Sequence, residues 1–197
     1  LIKKINFTGN KIFKDKKLKN IIVSEEGKFW KFLSSKKYLN ESTVSLDTRL
    51  LKSYYLNKGY YQAIIDSSSA SFMEDGFELV FNIDSGNRFF FNELKLIIPS
   101  DYNKDNFKSI YDELNSLKNE AYSSNKIKSI LDKIDSLALS KQYEFINASI
   151  NEKIVGSNKL NFTITVDESK KYYVNRINIY GNDITEETVI RDLLIVD

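Results

Sequence analysis

The chain repeats a short sequence pattern at a fixed interval. Residues 5–10 read Ile-Asn-Phe-Thr-Gly-Asn, and residues 177–182 read Ile-Asn-Ile-Tyr-Gly-Asn. The two glycines, Gly9 and Gly181, are 172 positions apart, or two steps of 86, and a more diverged copy at residues 91–96 lies between them. Spacing of this kind predicts stacked copies of one supersecondary unit, and such arrays act mainly through extended surfaces.

The first copy has the predicted order strand, helix, helix, strand, strand. Its first strand closes at Gly9, where a turn requires a positive φ, and Gly59 is placed to end the second helix. An apolar stripe at helical spacing marks this second helix. The stripe consists of Leu46, Leu50, Leu51, Tyr54 and Tyr55.

The second copy keeps this plan and has the more regular second helix. Either Ser123 or Ser124 is a suitable N-cap for it, and a hairpin is predicted to turn at residues 155–158. Its stripe consists of Ile127, Ile130, Leu131, Ile134, Leu137 and Ala138. We therefore predict an α+β chain of tandem β-α-α-β-β repeats, each a three-stranded mixed sheet covered by two helices.

Three repeats are predicted along the chain, with boundaries at residues 1–86, 87–169 and 170–197. The third holds only a strand and the start of a helix, so the chain is expected to be a fragment that ends inside a repeat. Short polar links at residues 85–88 and 168–171 are expected to act as hinges in a bent rod.

Composition argues against most catalytic functions. The chain has no cysteine and no histidine, so it lacks thiolate chemistry and any side chain that normally titrates near neutral pH. The formal net charge is only +2, and lysine rather than arginine supplies most of the positive charge. This balance disfavours, as a remote alternative, an α/β array that binds nucleic acid.

The pattern resembles the polypeptide-transport-associated (POTRA) domain family. The similarity rests on a first strand that closes in Gly9-Asn10 and on Tyr54-Tyr55 followed by Gly59-Tyr60 before a hairpin. The three repeats resemble the third, the fourth and the start of the fifth POTRA domain of outer-membrane protein assembly factors. The resemblance implies a periplasmic arm that binds unfolded outer-membrane proteins and accessory lipoproteins and precedes the protein's own C-terminal β-barrel. It implies no catalysis, no cofactor, no metal, no nucleic acid and no small-molecule substrate. A POTRA arm of another outer-membrane transporter, TamA-like or of the two-partner secretion type, is the alternative.

The resemblance also implies where clients bind. In the family, the second strand of each unit is an exposed sheet edge to which an extended client can add a strand. The corresponding residues here are Ala63, Ile64, Ile65, Asp66, Ser67 and Ser68 in the first repeat and Ile146, Asn147, Ala148 and Ser149 in the second. An apolar segment that contains Phe29, Trp30 and Phe32 is a further partner patch, unless it folds back onto its own small core.

Overall fold

The described part of the chain forms two three-stranded sheets, each with its own helices. The structure is a computed structural model, and it describes residues 1–27, 39–73, 76–141, 143 and 146–168. In chain order the elements are β1 Ile2–Asn10, α1 Asp15–Lys19, α2 Glu41–Asn57, β2 Ile64–Met73, β3 Gly76–Asp84, β4 Phe90–Ile97, a 3-10 turn Lys104–Phe107, α3 Lys108–Ser116, α4 Ser124–Ser140, β5 Ile146–Val155 and β6 Lys159–Glu168. The predicted α+β class and the mixed three-stranded sheets are confirmed.

Both sheets have the same topology. The strand order is β1-β3-β2 in the first and β4-β6-β5 in the second. In each sheet the central strand pairs in parallel with the first strand and antiparallel with the second. The last strand of each unit is therefore central, which leaves β2 and β5 at one outer edge and β1 and β4 at the other.

The first core lies between the sheet and α2. Alternate residues of β1 and β3 point inward, so Phe7 and Phe81 stack with their ring centroids 5.6 Å apart. From α2, Leu51 and Tyr55 are fully buried against them, as the predicted stripe requires. Leu46, which the stripe included, is 36% exposed. The buried position on that side of the helix belongs instead to Asp47.

The second core is built in the same way from α3, α4 and the second sheet. Phe91 and Phe162 meet at 5.5 Å between ring centroids, and Phe107 from the 3-10 turn is fully buried with them. Ile127, Ile130, Ile134 and Ala138 of the predicted stripe are buried on α4. The N-cap of α4 is Ser123. The hairpin turns where predicted, with Gly156 at φ +64°.

The link between the two sheets is anchored along its length. Ser85 is fully buried, the Arg88 side chain donates to the carbonyl of Lys58 at 3.2 Å, and the N–H of Phe89 donates to the carbonyl of Gly59 at 2.8 Å. Gly59, at φ +97°, ends α2 as predicted. These contacts lie at residues 85–89, where the link between the repeats was expected to act as a hinge. Among the described residues, no helix is both long enough and apolar enough to cross a bilayer.

Candidate protein-binding edges

Four strands occupy outer positions in the two sheets, and two of them are partly covered from within the chain. Along β1, the N–H of Gly27 donates to the carbonyl of Ile2 at 2.8 Å, and the Glu26 carboxylate accepts the N–H of Ile5 at 2.9 Å. The segment that follows α1 thus satisfies part of the outer edge of β1.

The outer edge of β4 is covered at its start by the equivalent segment of the second repeat. The N–H of Phe91 donates to the carbonyl of Glu120 at 2.9 Å, and the N–H of Asn119 donates to the carbonyl of Phe91 at 2.8 Å. The N–H of Tyr122 reaches the carbonyl of Phe89 at 3.0 Å. Both first strands therefore have internal backbone partners on the side away from the central strand.

The outer edge of β5 has no backbone partner among the described residues other than β6 on its inner side. Its register with β6 runs without interruption from Ile146 to Val155. Asn147 and Ser149 are exposed, whereas Ala148 is half-buried on the face toward α4 and packs against the second core. A row of backbone N–H and C=O groups is thus available for pairing with another strand.

The outer edge of β2 is less regular. Its register with β3 shifts between Ser67 and Ala70, and such a bulge interrupts the row of hydrogen-bonding groups on a strand. Ile64 and Asp66 are exposed and Ile65 is buried. The structure describes the backbone of Ser67 and Ser68 within β2.

Ala63 lies before β2 and is fully buried. Its N–H donates to the carbonyl of Tyr60 at 3.1 Å, and its own carbonyl accepts from the Lys52 ammonium. The backbone of Ala63 is therefore already satisfied. Of the predicted edge residues in the first repeat, those from Ile64 onward lie on β2. The predicted partner patch of Phe29, Trp30 and Phe32, and the third repeat at residues 170–197, lie outside the described residues.

A side chain from the first repeat caps a helix of the second. The Asn57 side-chain oxygen accepts the hydroxyls of Ser123 and Ser124, each at 3.0 Å, and the N–H of Asn125 at 2.8 Å. These groups form the N-terminus of α4, whose first N–H groups have no partner within the helix. Asn57, the last residue of α2, thus takes the capping role that Ser123 leaves unfilled.

Tyr61 forms the other half of the contact between the repeats. Its hydroxyl donates to the Glu152 carboxylate of β5 at 2.5 Å, and its ring lies 5.1 Å from Tyr122 and 5.6 Å from Phe89. Burial, followed by the hydrogen bond and the negative charge of Glu152, raises the pKa of Tyr61 to about 12. Burial also raises the pKa of Tyr122.

Sequence reasoning did not identify this contact. Asn57 and Tyr61 lie beside the helix-ending glycine, where local patterns favour a turn and contain no signal for a partner about 66 to 91 residues away. Comparing equivalent positions in the two repeats does not reveal which residues contact the neighbouring repeat until the packing of the repeats is known.

Comparison with known proteins agrees with this architecture. Residues 1–86 match the sequence profile of the POTRA family, described as a surface antigen variable number repeat. Outer membrane protein assembly factor BamA of Neorickettsia risticii is 25% identical over 97% of this chain. BamA of Neisseria meningitidis serogroup B is 25% identical over 95% of it. The chain spans about a quarter of the length of these relatives, 26% and 24% respectively.

Solved structures give the same fold. The POTRA3-5 segment of Haemophilus influenzae BamA superposes with a TM-score of 0.66 at 16% identity, covering 97% of this chain and 75% of that one. POTRA1-2 of the periplasmic domain of Omp85 from Anabaena superposes with a TM-score of 0.52 at 10% identity, covering 87% of this chain and 97% of that one. Residues 1–86 therefore match the POTRA family, and the chain as a whole is similar to BamA-type outer-membrane protein assembly factors and has the fold of the POTRA3-5 segment of one of them.

Proposed function

We propose that this chain is the periplasmic arm of an outer-membrane protein assembly factor and that it binds unfolded outer-membrane clients by β-augmentation. In this mechanism the client adds a strand to an open sheet edge, and main-chain hydrogen bonds supply the affinity with little dependence on client sequence. The similarity to BamA over nearly the whole chain supports the role, and the sheet edges support the mechanism.

The observation that carries the proposal is the outer edge of β5. It offers ten residues in unbroken register with β6, and no described segment lies along its other side. Chains that need only to be stable cover or interrupt such edges, because an open edge invites pairing with other chains. An uninterrupted edge of this length is the feature that a strand-binding surface requires.

The edge of β2 is a second and weaker binding surface in this proposal. Its bulge between Ser67 and Ala70 breaks the run, so a client can pair in full only with the part on one side of the shift. Ile64, 55% exposed, offers an apolar contact for a client side chain beside Asp66.

Two further points extend the proposal. Residues 1–86 and 87–169 are two POTRA domains and residues 170–197 begin a third. Accessory lipoproteins of the assembly complex use surfaces other than the β5 edge, and the segment with Phe29, Trp30 and Phe32 is the candidate for one of them. The client-binding edge and the lipoprotein patch would then belong to different repeats.

Amide hydrogen exchange on the 197-residue chain tests the mechanism. The probe is a capped synthetic peptide copied from one strand of an outer-membrane β-barrel, with alternating apolar and polar residues. We expect alternate amides of β5, those that point away from β6, to exchange at least about tenfold more slowly with the peptide, because each gains a hydrogen bond. A peptide in which two neighbouring residues at the centre are replaced by proline lacks a donor on each of its edges and is the control.

Two neighbouring proline variants sharpen the test. N–H groups alternate in direction along a strand, so only one of Ser149→Pro and Ile150→Pro removes an outward donor. The other breaks the pairing with β6 and loses the native circular dichroism spectrum. The variant that keeps its fold should bind the peptide about fivefold more weakly, the effect of one hydrogen bond. Equal binding by that variant, or no protection of β5 in the parent, would overturn the mechanism.

A further inference from the structure

The first strands of the two repeats can be superposed residue by residue. Ile2 accepts a backbone hydrogen bond from Gly27, and Phe91 accepts the corresponding bond from Asn119. Both strands then shift register by one residue, after which Ile5 pairs with Leu79 in the first sheet and Leu94 pairs with Phe162 in the second. Ile5 and Leu94 therefore hold equivalent positions on the outer edges of β1 and β4.

The first repeat fills this position with its own carboxylate. Glu26 accepts the N–H of Ile5 at 2.9 Å and also binds the Lys19 ammonium at 2.5 Å. A carboxylate placed between a backbone donor and an ammonium makes two charge-assisted hydrogen bonds. The edge of β1 is closed at this point without any partner molecule.

The second repeat places a lysine where the first has this glutamate. Because Gly27 corresponds to Asn119, the residue before each of them also corresponds, so Lys118 occupies the position of Glu26. An ammonium has no lone pair and cannot accept the N–H of Leu94. Lys118 is exposed and forms no ion pair with any residue in the described ranges.

The N–H of Leu94 is directed to the outer edge of β4, on the side opposite to β6. Its neighbour Glu93 donates its own N–H inward, to the Asn161 side chain of β6 at 3.2 Å. Since N–H groups alternate along a strand, the next one faces outward. Two residues further on, the carbonyl of Leu96 likewise faces outward and accepts from the Tyr111 hydroxyl of α3 at 3.4 Å.

An open cavity of about 220 Å³ is lined by Leu94, together with Asn92, Glu93 and Lys95 of β4 and with Leu114, Asn115 and Lys118 at and just beyond the end of α3. The one carboxylate in its lining, Glu93, is 3.0 Å from the Lys95 ammonium, which offsets its charge. The lining of the cavity is thus left with the net positive charge of Lys118.

We propose that this cavity binds the carboxylate of a glutamate or aspartate side chain on a partner polypeptide. The partner's carboxylate accepts the N–H of Leu94 and pairs with Lys118, as Glu26 accepts the N–H of Ile5 and pairs with Lys19 in the first repeat. This surface is on the edge of the second sheet opposite to β5, so a client strand on β5 leaves it free.

Nuclear magnetic resonance on the isotopically labelled 197-residue chain tests the proposal with two capped peptides, acetyl-Thr-Val-Glu-Val-Thr-amide and its glutamine counterpart. We expect the glutamate peptide to shift the Leu94 amide proton downfield. The glutamine peptide should bind there about tenfold more weakly, because it loses a hydrogen bond to a charged acceptor. Binding of either peptide along β5 would shift the amide signals of β5 and not that of Leu94. The experiment therefore separates failure of this proposal from failure of client binding at β5.

The variant Lys118→Glu supplies the missing carboxylate from within the chain. It should shift the Leu94 amide downfield without peptide and abolish the response of that amide to the glutamate peptide. Lys118→Gln should weaken glutamate-peptide binding several-fold, and Lys128→Gln, at an exposed lysine of α4, should leave it unchanged. The proposal is wrong if the Leu94 amide does not respond to the glutamate peptide, responds equally to the glutamine peptide, or is unaffected by Lys118→Glu.

Discussion

The two repeats share one topology but satisfy their polar groups differently. In the first, Glu26 closes the edge of β1 and a bulge interrupts β2. In the second, Lys118 leaves part of the β4 edge open and β5 is regular throughout. The comparison teaches that one β-α-α-β-β topology can be built with closed or with open sheet edges by changing a few side chains.

The same contrast extends into the cores. Asp47 of α2 and Ile130 of α4 lie at equivalent helical positions, since Leu51 corresponds to Ile134 and Tyr55 to Ala138. Both are fully buried. Asp47 accepts the backbone N–H groups of Val23 at 2.6 Å and Ser24 at 3.2 Å. The first repeat therefore holds a loop with a buried carboxylate where the second packs an aliphatic side chain.

Replacing each of these residues by the type found at the equivalent position should have the largest effect on stability. Ile130→Asp places a carboxylate among apolar neighbours without donors, and we expect it to lower the free energy of unfolding of the second repeat by about 4 kcal/mol or more. Asp47→Ile leaves the part-buried N–H of Val23 and the buried N–H of Ser24 without an acceptor and should cost about 2 to 3 kcal/mol in the first repeat. Urea unfolding followed by amide exchange in β3 and β6 reports the two repeats separately. Equal losses in both variants would contradict the contrast.

Substitution of glycine at a turn should have the next largest effect on stability. At Gly9, with φ +84°, an added Cβ would lie 2.4 Å from the carbonyl oxygen of Ile83. Gly9→Ala should therefore destabilise the first repeat by about 2 to 3 kcal/mol, from backbone strain of about 1 kcal/mol and a clash that requires the strands to move. Gly156, with φ +64°, has open space at its Cβ position, so Gly156→Ala should show only the strain. Thermal unfolding of both variants measures the difference.

Sequence periodicity predicted most of the fold because burial repeats with the period of each element. The stripe on α4 and the helix end at Gly59 both follow from local patterns. Asp47 was missed because an acidic residue on a helix normally faces water, and the backbone donors that hold it are 23 and 24 residues away. That Lys118 holds the position of Glu26 became visible only once the two sheets could be compared.

The positions of the edge strands were predicted, but not whether each edge is regular or interrupted by a bulge. The resemblance to POTRA domains implied that the second strand of each unit is exposed, and both β2 and β5 are outer strands. The bulge in β2 has no signature in a run of serines, since its cause is the pairing register with β3. Register depends on a partner strand and so is weakly encoded in one strand alone.

The contact between the repeats provides a third and smaller test. Asn57→Ala removes the acceptor for three groups at the start of α4, and a lost N-cap costs about 1 to 2 kcal/mol. We expect faster amide exchange in the first turn of α4 and a broader distribution of distances between spin labels on the two repeats. Asn125→Ala is the matched control, because Asn125 contributes its backbone N–H to this contact. Identical distance distributions in parent and Asn57→Ala would show that Asn57 does not restrain the repeats.

The ionisation of Tyr61 should have the smallest effect on stability, and the direction of this pH dependence follows from the pKa of Tyr61. The ordinary tyrosine value is 10.0 and that of folded Tyr61 is about 12. The folded state therefore favours the protonated hydroxyl, which donates to Glu152. This contribution to stability is fully present below pH 10 and is lost between about pH 10 and 12.

The stability difference between the parent and Tyr61→Phe should accordingly shrink as pH rises through that interval. Taking a difference cancels the titration of lysines that both proteins share, and it isolates Tyr61 from Tyr122, whose raised pKa adds a parallel loss in both. Glu152→Gln distinguishes the two causes of the Tyr61 shift. Because burial is the larger cause and Glu152 the smaller, the pKa of Tyr61 in Glu152→Gln should fall only part of the way toward 10.0. A return to the ordinary value, read from the ultraviolet absorbance of tyrosinate, would mean that the Tyr61 ring is not held between the repeats.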